Sequence, residues 1–193
     1  MLNVYFIRHG QSESNLNATF SGNTDVPLTD KGRDDARHAG ELLKGIEFQK
    51  IYVSNLSRAQ ETMRLAIPGA VGIVDERLQE TNVGFLAGHL RSEMMEKYGD
   101  ALQEAFRTRC FGPYGGEQQS EHMARVKAFR DMLEAENIDG NVAVFAHDGT
   151  IRNFFQLMVG NASGIDQVRL ANGSVSVFSY NGKYWILKHW NLI

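Results

Sequence analysis

Three apolar, β-forming runs in this chain each stop abruptly at a polar cluster: Leu2–Ile7 at Arg8-His9, Lys50–Val53 at Ser54-Asn55, and Asn141–Ala146 at His147-Asp148. Segments of helical period lie between and after them. Thr29 reads as the N-cap of a helix through Ala36, Ala39, Leu42 and Leu43 with Gly45 at its end, and a second helix from about Leu56 to Ile67 is stopped by Pro68-Gly69. Strands alternating with helices fold as a mostly parallel sheet covered on both faces. In such sheets ligands bind beyond the carboxyl ends of the strands, which is where the three polar clusters fall.

The remaining segments fit the same plan. Val71–Val74 is a third apolar stretch after the second helix, and Glu117 to Glu136 is a long amphipathic helix with Met123, Val126, Phe129, Met132 and Leu133 on one face. Ile151–Val159 reads as a helix, with Asp148 a candidate for its N-cap as much as for chemistry. Ser174–Tyr180 and Lys183–Trp190 flank Asn181-Gly182, a strong hairpin signal that adds antiparallel pairing, with Trp185 and Trp190 as packing residues. The stretch from about residue 80 to 116 is irregular and glycine-rich, with a short helix near Ser92–Tyr98. It reads as an excursion over the ligand side.

Composition narrows the classes. With 193 residues, 42% hydrophobic and 22% charged, the chain is long enough for one globular domain spanning residues 1–193. A net charge of −3 and a single cysteine argue against a basic nucleic-acid binder and a disulfide scaffold, and no apolar run approaches a membrane span. The lone Cys110 and an N-terminus without a basic, apolar leader point to the cytoplasm. The oligomeric state is not legible. Slight acidity does not exclude an anionic substrate, because a phosphate site needs only a few fixed cations in one cleft.

Two histidines and two arginines at strand ends suit a phosphoryl group. The arginine fork matches phosphate oxygens, which makes Arg8 and Arg58 a candidate clamp. A neutral imidazole can attack phosphorus if one ring nitrogen is free and the other keeps its proton; His9, beside Arg8 and before Gly10, is the better nucleophile candidate. The departing alkoxide then needs an acid, for which Glu80 and Asp148 are the candidates. The expected chemistry needs no metal and no cofactor: His-x-x-x-His pairs are absent, and His38, His89, His122 and His189 read as structural or surface residues.

The motifs then carry a resemblance. Arg8-His9-Gly10-Gln11-Ser12-Glu13-Ser14-Asn15 resembles the signature of the histidine phosphatase superfamily, in its phosphoglycerate mutase-like branch. Ser21-Gly22 with Asp25 to Thr29 and Gly32, Ser54 to Ala59 with Thr62, Leu78-Gln79-Glu80 with Gly84 and Gly88, Gly115-Gly116-Glu117 with Arg125-Val126, and His147 with Gly149 and Ile151-Arg152 resemble the motifs that follow, in order. The resemblance implies a three-layer α/β/α sandwich and metal-free catalysis. It also implies a phosphohistidine at His9, phosphoryl oxygens held by Arg8, Arg58 and His147, and contacts from Asn15 and the Ser21-Gly22 loop. Glu80 is the implied proton donor. Asp148 stands where many relatives have glycine and offers a second acid beside Gly149. Leu86-Ala87, Gln118 and Asp35 also depart from the pattern, at positions expected to concern substrate fit.

The expected activity is hydrolysis of a small phosphorylated metabolite. A phosphoglycerate mutase is the alternative, with chain length taken to favour hydrolysis, and a noncatalytic phospho-ligand binder is a weaker third. The sequence does not select the metabolite.

Overall fold

The computed structural model describes residues 1–160 and 168–193. Strand β1 spans Leu2–Arg8, and the short helix α1, Glu13–Leu16, follows it. Next come α2 (Asp30–Leu42), β2 (Lys50–Val53), α3 (Ser57–Ala66) and β3 (Ile73–Val74). The chain continues through α4 (Arg91–Thr108), α5 (Gln119–Ala135), β4 (Gly140–Ala146) and α6 (Asp148–Val159), and the described part closes with β5 (Val175–Tyr180) and β6 (Trp185–Leu192). The six strands are ordered β3-β2-β4-β1-β5-β6. The first four run parallel, and β5 and β6 are antiparallel additions.

Alternation along the central strands makes the three layers. In β4, Val142, Val144 and Ala146 face a core shared with Val126, Phe129 and Leu133 of α5 and Ile151 and Phe154 of α6. Ala143 and Phe145, one residue out of phase, pack with Ala39 of α2 and Ala59 and Met63 of α3. Both faces are dry, so burial fixes the register: a slip of one residue would exchange the two cores. Trp185 packs edge-on against Phe154 at 5.0 Å between ring centroids, and Trp190 against Phe155 at 5.1 Å, so the terminal hairpin is pinned to the α6 side.

Local signals set the element ends. Thr29 caps α2, its hydroxyl accepting the N–H of Gly32 at 3.0 Å. Helix α6 begins differently from expectation: His147 is the cap residue and Asp148 already lies in the first turn. The excursion carries one more helical segment than expected. The short helix ends at Tyr98, because Gly99 is non-helical with φ 48° and ψ −127°, and a second segment then carries α4 on to Thr108. The second half persists because Leu102 and Ala105 are buried with Phe20, Val83, Leu86, Met94, Phe111 and Tyr114 in a small core of their own. The third apolar stretch is shorter than expected, with Ile73 and Val74 exposed on the sheet edge.

Because β4 lies between β1 and β2, the polar ends of all three strands meet at one edge. Arg8 lies beside Ala146 in the β1–β4 register and Val53 beside Phe145 in the β2–β4 register, so Arg8-His9, His147 and Ser54 emerge side by side.

Candidate active site

His9 leaves β1 buried, and its Nδ1 lies 2.7 Å from the carbonyl oxygen of Gly10. A carbonyl only accepts, so Nδ1 carries the proton and Nε2 keeps the free lone pair. Burial, then the charges of Arg58 and Arg8, hold this imidazole well below the usual histidine pKa. Gly10 serves a purpose other than room for a ligand. A Cβ there would sit 2.0 Å from the backbone oxygen of Gly32, so the loop after β1 packs backbone to backbone on the first turn of α2.

His147 is fully buried near His9, with ring centroids 5.1 Å apart. Its Nε2 is 2.9 Å from Ser54 Oγ at the end of β2, while its Nδ1 has no protein partner. Arg58, from the first turn of α3, is also fully buried; it donates to the carbonyls of Thr24 and Gly22 at 2.8 Å each, and its Nε has no partner. Burial lowers its pKa to about 10, still cationic at neutral pH. Arg8 donates to the Leu170 carbonyl and lies 3.6 Å from Asp148, and its buried Nε is likewise unpartnered. Three buried nitrogens around one imidazole thus lack acceptors, which is costly unless a ligand supplies them.

The two candidate acids sit in different surroundings. Asp148 Oδ2 pairs with Arg152 Nε at 2.9 Å, and Oδ1 accepts from Arg152 at 3.1 Å and faces Arg8. Half-buried Glu80 meets neutral donors: Oε1 accepts the N–H of Thr81 at 2.8 Å and Oε2 accepts the N–H of Gly149 at 3.1 Å. Both oxygens of Asp148 are engaged by guanidinium groups, which leaves Glu80 the better placed to carry a transferable proton.

A cavity of about 710 Å³ opens in front of His9. Of the ten residues singled out from sequence, nine line it: Arg8, His9, Asn15, Ser21, Gly22, Arg58, Glu80, Asp148 and Gly149. His147 is the exception, buried with its ring 5.1 Å from that of His9. Asn15 Oδ1 accepts from Asn172 Nδ2 at 3.1 Å, tying the first motif to the segment before β5. The sequence reading did not single out Arg91, Arg107, Arg109 and Arg169, which also line the cavity together with Phe20, Phe106 and Phe111, Arg91 lying over the Phe20 ring at 5.7 Å. The Arg107-Thr108-Arg109 run was the one available signal. Asp35 and Gln118 lie elsewhere. Asp35 accepts the N–H of Gln11 at 3.0 Å and pairs with Lys31, and Gln118 caps α5 and accepts from Cys110 Sγ. These two departures from the family pattern support loops and do not touch the cavity. Among the described residues no group of three or more His, Cys, Asp or Glu side chains is arranged to hold a metal ion, and no helix is long and apolar enough to cross a membrane.

Comparison with known proteins bears on the family and the fold. A 2,3-bisphosphoglycerate-dependent phosphoglycerate mutase 2 of Gloeobacter violaceus is 40% identical over 77% of this chain and 72% of its own length. A 2,3-bisphosphoglycerate-dependent phosphoglycerate mutase of Parvibaculum lavamentivorans is 31% identical over 98% of this chain and 96% of its own. A mycobacterial glucosyl-3-phosphoglycerate phosphatase, solved in complex with VO3, superposes with a TM-score of 0.89 and 26% identity over 99% of both chains. An alpha-ribazole phosphatase from Shigella flexneri shares the fold, with a TM-score of 0.87 at 23% identity over 98% of this chain and 96% of that one. The family described as the histidine phosphatase superfamily, branch 1, matches residues 4–193, nearly the whole chain, and the chain belongs to this superfamily.

Proposed function

We propose that this protein is a phosphomonoesterase that hydrolyses a small phosphorylated metabolite through a phosphohistidine at His9. One observation carries the reading: a neutral imidazole, its Nδ1 proton fixed on a carbonyl and its Nε2 free, lies among three buried nitrogens of Arg8, Arg58 and His147 that have no protein acceptor. Three phosphoryl oxygens would satisfy them. Nε2 attacks phosphorus, the phosphorus–ester oxygen bond breaks, and Glu80 gives its proton to the departing alkoxide. Water then attacks the phosphohistidine, Glu80 takes a proton from it, and phosphate leaves with His9 restored. General acid catalysis of this kind contributes about 10²–10⁴ in rate. Arg91, Arg107, Arg109 and Arg169 on the outer wall favour a substrate with a second anionic group.

The second reading is phosphoglycerate mutation, favoured by the names of the curated relatives. Chain length does not separate the two, because the relative from Parvibaculum lavamentivorans aligns over 96% of its length and carries the mutase name. The test is phosphate release from p-nitrophenyl phosphate with a chelator present, followed by incubation with 3-phosphoglycerate and a trace of 2,3-bisphosphoglycerate. Hydrolysis predicts free phosphate in both, abolished by His9→Ala. Isomerisation to 2-phosphoglycerate with little phosphate release would establish the mutase reading instead.

A further inference from the structure

His122 is fully buried on α5 and plays no part in the chemistry above, yet it is one link from Glu80. Its Nδ1 is 2.9 Å from Thr81 Oγ1, which is 3.2 Å from Glu80 Oε1. Its Nε2 is 3.2 Å from Thr150 Oγ1, which is 2.8 Å from the carbonyl oxygen of Gln79. Proton counting decides how this chain is wired. The Gln79 carbonyl can only accept, so the Thr150 hydroxyl donates there and Thr150 Oγ1 is left to accept from His122. Burial, then the charges of Arg125 and Arg109, hold His122 neutral with a single N–H. That proton is on Nε2, so Nδ1 is an acceptor and takes the one hydroxyl proton of Thr81. Nothing is left for Glu80 Oε1 but the backbone N–H of Thr81.

We propose that His122 is a positioning residue for the acid step: by holding the Thr81 hydroxyl proton on its Nδ1, it keeps that donor away from the Glu80 carboxylate and so favours the protonated carboxyl that the acid step requires. The proposal rests on Glu80 being the acid. With both outer links wired this way, a proton on Glu80 Oε1 fills the last contact by donating to Thr81 Oγ1, and all four contacts of the chain then hold one proton each. If His122 could not accept, the Thr81 hydroxyl would turn to Glu80 and stabilise the spent carboxylate.

Other charged groups face both residues. Arg8 and Arg58 act on Glu80, Arg125 donates to its backbone carbonyl at 3.2 Å, and Asp148 adjoins the Gly149 that bonds it. Glu117 lies 3.9 Å from His122 Nδ1 but is already held by Arg125 at 2.7 and 3.0 Å. Substitutions at position 122 retain all of these groups, so a change between variants reports the relay.

The experiment measures kcat/KM against pH for p-nitrophenyl phosphate and for an alkyl phosphate, whose leaving group needs the proton. In His122→Leu we expect the basic limb for the alkyl ester to move down by about one pH unit, with roughly a tenfold loss near pH 8, while the aryl ester changes less than about twofold. His122→Asn, which retains an acceptor near Nδ1, stays near wild type, and His122→Leu with Thr81→Val recovers most of the limb, because the misdirected hydroxyl is gone. Equal loss on both esters, no loss on either, or failure of the double variant to recover overturns the proposal. Glu80→Gln is run beside them: if it lacks the leaving-group dependence, the fault lies in the assignment of the acid and not in the relay.

Discussion

The backbone N–H of Gly149 donates to Glu80 Oε2 at 3.1 Å, and a Cβ on residue 149 would come within 2.3 Å of Glu80 Oε1. The glycine after Asp148 therefore makes room for a carboxylate on another loop. Gly149 lies in the first turn of α6, where alanine costs nothing in backbone conformation and is the better helix former by about 1 kcal/mol. Gly149→Ala should fold at least as well as the parent and lose roughly tenfold or more in kcat/KM on alkyl phosphates, with a smaller loss on p-nitrophenyl phosphate. Thermal melting and the two ester assays check it; equal activity on the alkyl ester would show that the carboxylate does not need that position.

Ser54 is the only hydrogen-bond partner of the His147 imidazole among the described residues. If its hydroxyl donates to Nε2, the remaining proton sits on Nδ1, available to a phosphoryl oxygen. Ser54→Ala removes that control and leaves a buried nitrogen unpaired, at a cost of about 1–3 kcal/mol. The expected result is a moderate fall in melting temperature and a kcat loss of about tenfold on both esters alike, unlike the selective loss at Gly149. A variant with full activity on both would argue that the tautomer is set elsewhere.

Arg58 grips the Gly22 and Thr24 carbonyls while presenting an unpartnered Nε, so one fork both orders the Ser21–Thr24 loop and supplies a cation. Lysine retains the charge and loses the fork. Arg58→Lys should lower kcat/KM by about 10²–10³ and weaken vanadate inhibition, read by steady-state kinetics. Near-native values would mean that charge alone suffices.

Three buried imidazoles, His9, His122 and His147, are all held below the usual histidine pKa, by burial first. The unfolded chain protonates them near pH 6.5 while the native chain does not, so below that pH the unfolded state binds more protons and stability rises with pH. Each contributes a slope of up to about 1.4 kcal/mol per pH unit. Urea unfolding should show a clear loss on going from pH 7.5 to 5.5, with a shallower slope in His122→Leu. Equal stability at the two pH values would mean that the imidazoles are not buried neutral.

How much of this was legible beforehand depended on the range of the interaction. The Thr29 cap, the Lys50–Val53 strand, the long helix before β4 and the Asn181-Gly182 turn are local, each set by residues within a few positions, and the structure has them where the sequence pattern put them. The second helical segment of α4, after the break at Gly99, was not legible, since Leu102 and Ala105 hold it against residues from other loops. Gly10 could be read only as a position needing room, and the structure gives the neighbour as Gly32. His122 looked like a spare histidine because Thr81 and Thr150 are 41 and 28 residues away.

By itself the sequence determined the alternation of strands and helices, the polar groups at each strand end and the family motifs, because caps, periods and motifs are written in neighbouring residues. Only the tertiary structure decided that β4 enters between β1 and β2, placing the His147 ring 5.1 Å from that of His9 and within reach of Ser54. It alone brought Thr81, His122 and Thr150 into one chain of contacts beside Glu80. Strand order and contacts of this kind are settled by burial and by the matching of donors with acceptors across distant segments, and neither leaves a trace in any single stretch of chain.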